Sequence, residues 1–183
     1  MSPVPLSQGF PPIADARARV LVLGTLPGRK SLEMQEYYAQ PHNAFWRIMA
    51  QLFGAEQSLP YAARLTRLRA ARIAVWDVLA AGEREGSLDS SIVRSSIVVN
   101  DFAAFFARHP RIELVCFNGN TAAALFRHRV LPTLAPESAE LPTYVLPSTS
   151  PAYASLRFEQ KLERWSAVLA AEAEPPRAAR RRA

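Results

Sequence analysis

Four short, mainly apolar runs, each followed by turn-forming residues, set the pattern of this chain. They cover residues 20–23, 73–76, 112–117 and 143–146. Such runs are too short and too continuous for the apolar face of a surface helix and are typical of strands buried on both faces. The segments between them, such as residues 44–53, space their apolar positions as a helix does. This alternation predicts a three-layer α/β fold with a central parallel sheet of four strands, near residues 19–24, 72–77, 112–117 and 142–146.

The same pattern predicts one domain, covering residues 13–171. Residues 1–12 hold four prolines and are predicted to be a flexible lead-in. The apolar spacing ends at Glu172, so residues 172–183, which include three consecutive arginines, are predicted to be a basic, disordered tail. Both a solvated end and a nonspecific contact with nucleic acid remain open for this tail. Within the domain, Ser31 and Asn43 are predicted to cap the helices that follow them.

The charge balance allows two interpretations. The net charge is +6, and among 22 basic residues only Lys30 and Lys161 are lysines. A surplus of arginine suits phosphate binding, because a guanidinium meets phosphate through a planar fork. A GC-rich genome that favours arginine codons explains the same composition.

The remaining composition narrows the class of protein. Cys116 is the only cysteine, so an intramolecular disulfide is excluded and a buried thiol is predicted. The three histidines lie far apart without the spacing of metal ligands, and we predict no metal and no organic cofactor. Neither a signal-peptide pattern nor an apolar run of membrane-spanning length occurs, which predicts a soluble, cytoplasmic protein that does not enter a membrane.

Polar and turn-forming residues follow all four predicted strands. Because parallel strands end at one edge of their sheet, residues 24–28, Asp77, Asn118 and residues 146–152 should meet there. Loops rich in Gly, Pro, Ser and Thr offer backbone N–H groups and hydroxyls to phosphates. The fingerprints of dinucleotide-binding, P-loop and nucleophile-elbow proteins are absent. Ser148 and Ser150 have no nearby histidine in the sequence, which argues against a serine hydrolase.

Three of these segments together resemble the uracil-DNA glycosylase superfamily. They read Gly-Thr-Leu-Pro-Gly (24–28), Tyr-Ala-Gln-Pro-His-Asn-Ala-Phe-Trp (38–46) and Leu-Pro-Ser-Thr-Ser-Pro (146–151). With Trp-Asp-Val (76–78) and Gly-Ser-Leu-Asp-Ser (86–90), the chain is most similar to the hypoxanthine-DNA (deoxyinosine) glycosylase branch. The resemblance implies a monomeric, monofunctional enzyme that hydrolyses the N-glycosidic bond of deaminated bases in DNA. Hypoxanthine would be the first substrate, with uracil or xanthine also in range, and the reaction would start base excision repair.

The resemblance also indicates which residue carries the chemistry. Leu26 and Leu146 stand where relatives carry polar residues, which leaves Asn43 as the matching polar group. The resemblance therefore implies that Asn43 is catalytic and holds the water that attacks C1′ of the sugar. From local sequence alone, Asn43 is equally an N-cap, and the two roles are compatible.

Further roles follow from the matched positions. The resemblance implies that Tyr38 stacks on the extruded base. Asp77, taken as an ionised carboxylate that only accepts hydrogen bonds, suits an N–H of the base, although a helix cap explains it equally well. The other residues expected against the base are Thr25, Leu26 and Asn118, the last also suited to a turn. Residues expected to contact DNA phosphates are Gly28, Lys30, Ser148, Thr149 and Ser150, with Tyr153 as a wedge between bases.

Three other functions remain open at this point. The first is a broad or uracil-preferring DNA glycosylase. The second is a non-catalytic nucleotide- or DNA-binding α/β module, which the two leucine replacements would favour. The third is a nucleoside hydrolase, which would act on free deoxyinosine.

Overall fold

Residues 6–173 are described by a computed structural model and form seven strands and seven α-helices. The strands are β1 (Leu6–Gln8), β2 (Val20–Gly24), β3 (Ile73–Asp77), β4 (Leu79–Glu83), β5 (Val98–Val99), β6 (Leu114–Asn118) and β7 (Thr143–Leu146). The helices are α1 (Arg29–Met34), α2 (Phe45–Phe53), α3 (Tyr61–Ala70), α4 (Phe102–Arg108), α5 (Asn120–Leu125), α6 (Pro136–Ala139) and α7 (Phe158–Ala173). A turn of π-helix, Phe126–Val130, continues α5.

The central sheet contains four parallel strands in the order β3-β2-β6-β7, which confirms the predicted fold class. Gly24 pairs with Asp77, and Asn118 pairs with Leu146, so the last residues of neighbouring strands lie side by side. The observed and predicted bounds of these four strands differ by at most two residues. The largest difference is at the start of β6, which begins at Leu114. Strands β2 and β3 are buried along their whole length, as continuous apolar runs require.

The helices divide between the two faces of this sheet. Trp76 of β3 packs its ring 5.0 Å from both Phe102 and Phe105 of α4, and Phe117 of β6 packs on Phe126. Neighbouring residues of a strand point to opposite faces, which leaves the other face for α2, α3 and α7. These three helices hold together through aromatic contacts centred on α2.

A second, antiparallel sheet of order β1-β4-β5 was not predicted. Residues 1–12 were expected to be a flexible lead-in, but Leu6–Gln8 forms β1 and pairs with β4. The prolines flank this short segment, which keeps its backbone N–H groups free to pair. Gly9 then donates its N–H to the Ala80 carbonyl at 2.8 Å. A Cβ on Gly9 would lie only 2.8 Å from the Leu79 carbonyl oxygen, so a larger residue would be crowded there. Residues 1–5, and all but the first two residues of the predicted tail at 172–183, lie outside the described part of the chain.

The predicted cap of α1 is also different. The helix begins at Arg29, two residues before Ser31, and Ser31 is buried with its hydroxyl accepting the Ala39 N–H at 3.2 Å. The hydroxyl of Ser87, distant in sequence, accepts the Arg29 N–H at 3.0 Å. None of the helices within residues 6–173 is long and apolar enough to cross a membrane.

Candidate active site

A cleft of about 940 Å³ opens at the carboxyl edge of the central sheet. Every residue that the sequence predicted for the site lines it: Thr25, Leu26, Gly28, Lys30, Tyr38, Asn43, Asp77, Asn118, Ser148, Thr149, Ser150 and Tyr153. The three motif loops therefore share one edge, as predicted from the parallel strands for the first and third loops. Their separate roles depend on local geometry.

Gly24 ends β2 at the floor of the cleft, where only a glycine fits. A Cβ there would overlap Asp77 Oδ1 and lie 2.9 Å from the hydroxyl of Tyr38. Thr25 and Leu26 follow and are buried, so that Leu26 forms part of an apolar wall. The first motif thus brings a backbone segment directly against a carboxyl and a phenol.

Arg84 was not predicted as a site residue. Its side chain supports the first loop through hydrogen bonds. Its side chain is 1% exposed, and its guanidinium donates to the carbonyl oxygens of Leu26, at 3.3 Å, and Pro27. It also lies 3.5 Å from Asp89 Oδ1. The only signal for Arg84 in the sequence is its proximity to the Gly-Ser-Leu-Asp-Ser segment that carries Asp89.

Asn43 lies half-buried just before α2. Its Oδ1 accepts the Phe45 N–H at 3.0 Å, so it satisfies a free amide of the first turn although the helix begins one residue later than predicted. Its Nδ2 group makes no hydrogen bond with any residue among 6–173, and the residue lines the cleft. The capping bond thus fixes one end of the amide and leaves the NH₂ group available to a ligand.

Tyr38 presents an aromatic ring at the same place. Its backbone has φ of 55°, in the left-handed region, and its ring stacks on Phe45 with 4.1 Å between centroids. The hydroxyl is buried and has no hydrogen-bond partner among the described residues. Burial, reinforced by the nearby Asp77 carboxyl, raises the pKa of Tyr38 and keeps the phenol protonated. Tyr37, Phe45 and Trp46 are buried packing residues.

Asp77 differs in its charge from what the sequence suggested. The residue is 3% exposed, and its Oδ2 has no partner within residues 6–173. Burial, with a further contribution from the Asp89 carboxylate, raises the pKa of Asp77 to about 8, against the opposing effect of Arg84. Asp77 is therefore mainly a neutral carboxylic acid at pH 7, which donates as well as accepts, because a low-dielectric site disfavours the ionised form.

The loop after β7 is held from inside by Asn118. The Asn118 amide donates to Thr149 Oγ1 and accepts the Thr149 N–H, each at 2.8 Å. The Thr149 carbonyl accepts the Ala44 N–H at 2.9 Å, which ties this loop to the Asn43 segment. Asn118 and Thr149 are thus joined to one another, while Ser148 and Ser150 are the less buried hydroxyls of the loop.

A second buried cation, Lys161 of α7, holds the outer part of the same loop. Its ammonium donates to the carbonyl of Tyr153 at 2.8 Å and of Ser150 at 3.4 Å. The Tyr153 ring, half-buried, lies 5.2 Å from that ammonium, and burial lowers the pKa of Lys161. On the other side of the cleft, Lys30 is exposed and lies 3.4 Å from Glu33.

The histidines, acids and cysteine within residues 6–173 form no group of three that could hold a metal ion. The polar groups gathered at the cleft are an amide, a phenol, a buried carboxyl and several hydroxyls. Such a set of groups can bind a flat heterocycle and orient a water molecule, and the loops of the cleft can bind phosphates.

Comparison with known proteins agrees with this chemistry. A model of the Uracil DNA glycosylase superfamily matches residues 11–170. A protein of Methanosarcina acetivorans named hypoxanthine DNA glycosylase is 39% identical over 165 residues, covering 89% of this chain and 98% of that protein. One of Methanosarcina barkeri with the same name is 42% identical over 113 residues, covering 61% of this chain and 70% of that protein.

A solved structure is also similar. The solution NMR structure of a Methanosarcina acetivorans protein, described as a candidate uracil DNA glycosylase, has a TM-score of 0.75 and 35% identity. The match covers 92% of this chain and 99% of that one. The similarity therefore extends over the whole α/β domain and all three motif loops.

Proposed function

The chain belongs to the uracil DNA glycosylase superfamily, and we propose that it is a monofunctional DNA glycosylase that releases deaminated bases, hypoxanthine first, from DNA. The observation that carries the proposal is the meeting of Asn43, Tyr38 and Asp77 in one cleft. Two relatives named hypoxanthine DNA glycosylase support the choice of base.

The reaction replaces the C1′–N bond of the damaged nucleotide by a C1′–O bond from water. The bonding electrons leave with the base, and the proton that the water loses as it joins the sugar ends on a nitrogen of the released base. An extruded base would stack on the free face of Tyr38, whose other face is already covered by Phe45. Leu26 and Leu146, both buried and apolar, can neither orient water nor stabilise charge.

Asn43 is the proposed water-holding group. Because its Oδ1 is anchored by the Phe45 N–H, the amide plane is fixed before substrate binds. The free Nδ2 hydrogens, and the second lone pair of Oδ1, remain for a water below C1′. A carboxamide does this without titrating near neutral pH.

The rims of the cleft are the proposed DNA contacts. Ser148 and Ser150, with backbone N–H groups around them, would meet phosphates, and the arginine surplus would add long-range attraction. Lys161 and Asn118 hold that loop in shape, while Gly28 and Lys30 border the other rim. Tyr153 remains the proposed wedge. Action as a monomer and in the cytoplasm stays a prediction.

A panel of substrates tests the proposal. Duplexes with a single hypoxanthine, uracil, xanthine or mismatched thymine should be incubated with the protein, alongside free deoxyinosine. We expect an abasic strand, fastest from hypoxanthine. A dominant uracil signal would favour the broader enzyme, and hydrolysis of free deoxyinosine would favour a nucleoside hydrolase. Tight binding to a modified duplex without base release would identify a non-catalytic module.

A further inference from the structure

Asp77 lies at the closed end of the cleft. Asp77 is the last residue of β3 and pairs in register with Gly24. Its Oδ1 is turned toward Gly24, beside the Tyr38 hydroxyl, and its Oδ2 is buried without a partner among the described residues. A buried, unpaired polar atom in a ligand cleft is costly to the free protein and is satisfied when a ligand supplies the missing group.

The charges around Asp77 leave it without a counterion. Two acids, Asp77 and Asp89, share a single guanidinium, that of Arg84. Asp89 lies 3.5 Å from Arg84 Nη1. Burial raises the pKa of Asp89, and a hydrogen bond from Thr25 and the Arg84 guanidinium oppose that rise. The other titratable groups facing Asp77 are the phenols of Tyr37 and Tyr38, which are neutral. Because one guanidinium balances one carboxylate, the less exposed acid keeps its proton.

Deamination changes the base in a way that suits such a proton. It replaces an exocyclic amino group, a donor, by a carbonyl oxygen, an acceptor. In hypoxanthine the new carbonyl adjoins an N–H, so this edge presents one acceptor and one donor. A neutral carboxyl also presents one donor and one acceptor, whereas a carboxylate presents only acceptors and would repel the carbonyl oxygen.

We propose, on the basis of the glycosylase function proposed above, that Asp77 reads deamination as a neutral carboxylic acid. Its Oδ2–H donates to the carbonyl oxygen that deamination creates on the base. Because Oδ1 faces Gly24 and Tyr38, the proton stays on Oδ2. The amino group of an undamaged base is also a donor, so it would place its N–H against the Oδ2–H donor and bind less well. Loss of this proton in alkali abolishes the preference for the carbonyl-bearing base.

The test measures binding, so that it does not depend on catalysis. Duplexes would carry either 2′-fluoro-substituted deoxyinosine, which resists base release, or the matching purine nucleotide, which lacks the carbonyl oxygen. Dissociation constants for both would be measured from pH 6.5 to pH 9.5. With a pKa of about 8, the neutral fraction of Asp77 falls roughly 30-fold across this range, and we expect the preference for hypoxanthine to fall at least ~10-fold.

Variants separate Asp77 from the titration of the base itself. Asp77→Asn keeps a neutral donor that cannot ionise, so its preference should fall only as far as titration of the hypoxanthine N–H requires, and clearly less than the wild-type preference over the same range. Asp77→Ala should lose the preference even at pH 6.5. Asp101→Asn, which changes an exposed carboxyl at the start of α4, is the matched control and should behave as wild type.

A wild-type preference that stays constant with pH would overturn the proposal, and this series needs no variant to fold. An Asp77→Asn profile identical to the wild-type profile would also overturn it. Failure of the glycosylase function looks different: the pH-dependent preference would be present, but an unsubstituted deoxyinosine duplex would release no base.

Discussion

Asn43→Ala separates the capping bond that this side chain makes from the water-holding role that we propose for it. The substitution removes the hydrogen bond from the Phe45 N–H at 3.0 Å and the free Nδ2 group in the cleft. Loss of a cap of this kind costs about 1 kcal/mol of stability. A domain with roughly 5–15 kcal/mol of stability stays folded after such a loss.

The catalytic effect should be much larger than the stability effect. If Asn43 holds the attacking water, its removal should slow base release at least ~100-fold, which is about 2.7 kcal/mol at the barrier. The assay is single-turnover release of hypoxanthine from duplex DNA, with saturating enzyme, corrected for the folded, DNA-bound fraction. Binding of DNA should change little, because Asn43 is not among the proposed phosphate contacts.

Matched variants sharpen the result. Asn43→Ser can still cap the helix and should recover stability without recovering the rate. Asn43→Asp keeps an oxygen for both the cap and the water and should retain part of the activity. If Asn43→Ala releases hypoxanthine at the wild-type rate, the water-holding role is wrong, and Asp77 becomes the next residue to test for catalysis.

Three further predictions follow from the charged groups. The pKa of Asp77 in the folded protein, about 8, lies above its ordinary value of 3.8, so the free energy of unfolding falls as the pH rises between those values. In thermal unfolding, Asp77→Asn should therefore be more stable than wild type by at least about 1 kcal/mol at pH 8 and by little at pH 4. We expect water, and not a Schiff base at the exposed Lys30 beside Glu33, to attack the sugar. Borohydride should therefore trap no covalent adduct with DNA, and strands should break only after alkali or heat. An adduct at Lys30 would contradict hydrolysis by water. DNA affinity should fall steeply between 50 and 200 mM salt as phosphate counterions are released, and salt-independent binding would instead indicate a small-molecule pocket.

The sheet could be predicted from sequence because its strands are short and mainly apolar. Burial was predicted correctly for β2, β3 and most of β6 but not for the edge strand β7, whose first three residues are exposed. The edge where the motifs meet followed from their being parallel, as the pairing of Gly24 with Asp77 shows. Strands β1 and β4 could not be predicted in this way. Residues 6–8 carry no apolar run, and they form a strand only because β4 lies beside them.

The residues that line the candidate site could be predicted from sequence, but their charges could not. Motifs identified Asn43, Tyr38 and Asp77, yet the ionisation of Asp77 depends on burial and on Arg84 and Asp89, which lie close to it only in the fold. Arg84 and Lys161 escaped notice for the same reason. Both hold motif loops through backbone carbonyls, and such contacts leave no trace in a local sequence pattern.

Release of free hypoxanthine tests the central claim most directly. A duplex with a single deoxyinosine, and a control duplex with deoxyadenosine at the same position, would be incubated with excess protein, and the liberated base measured by chromatography. We expect free hypoxanthine in an amount equal to that of an intact, alkali-sensitive strand, and no adenine from the control. Bound deoxyinosine duplex with no free base, at any time or pH at which the protein stays folded, would contradict it.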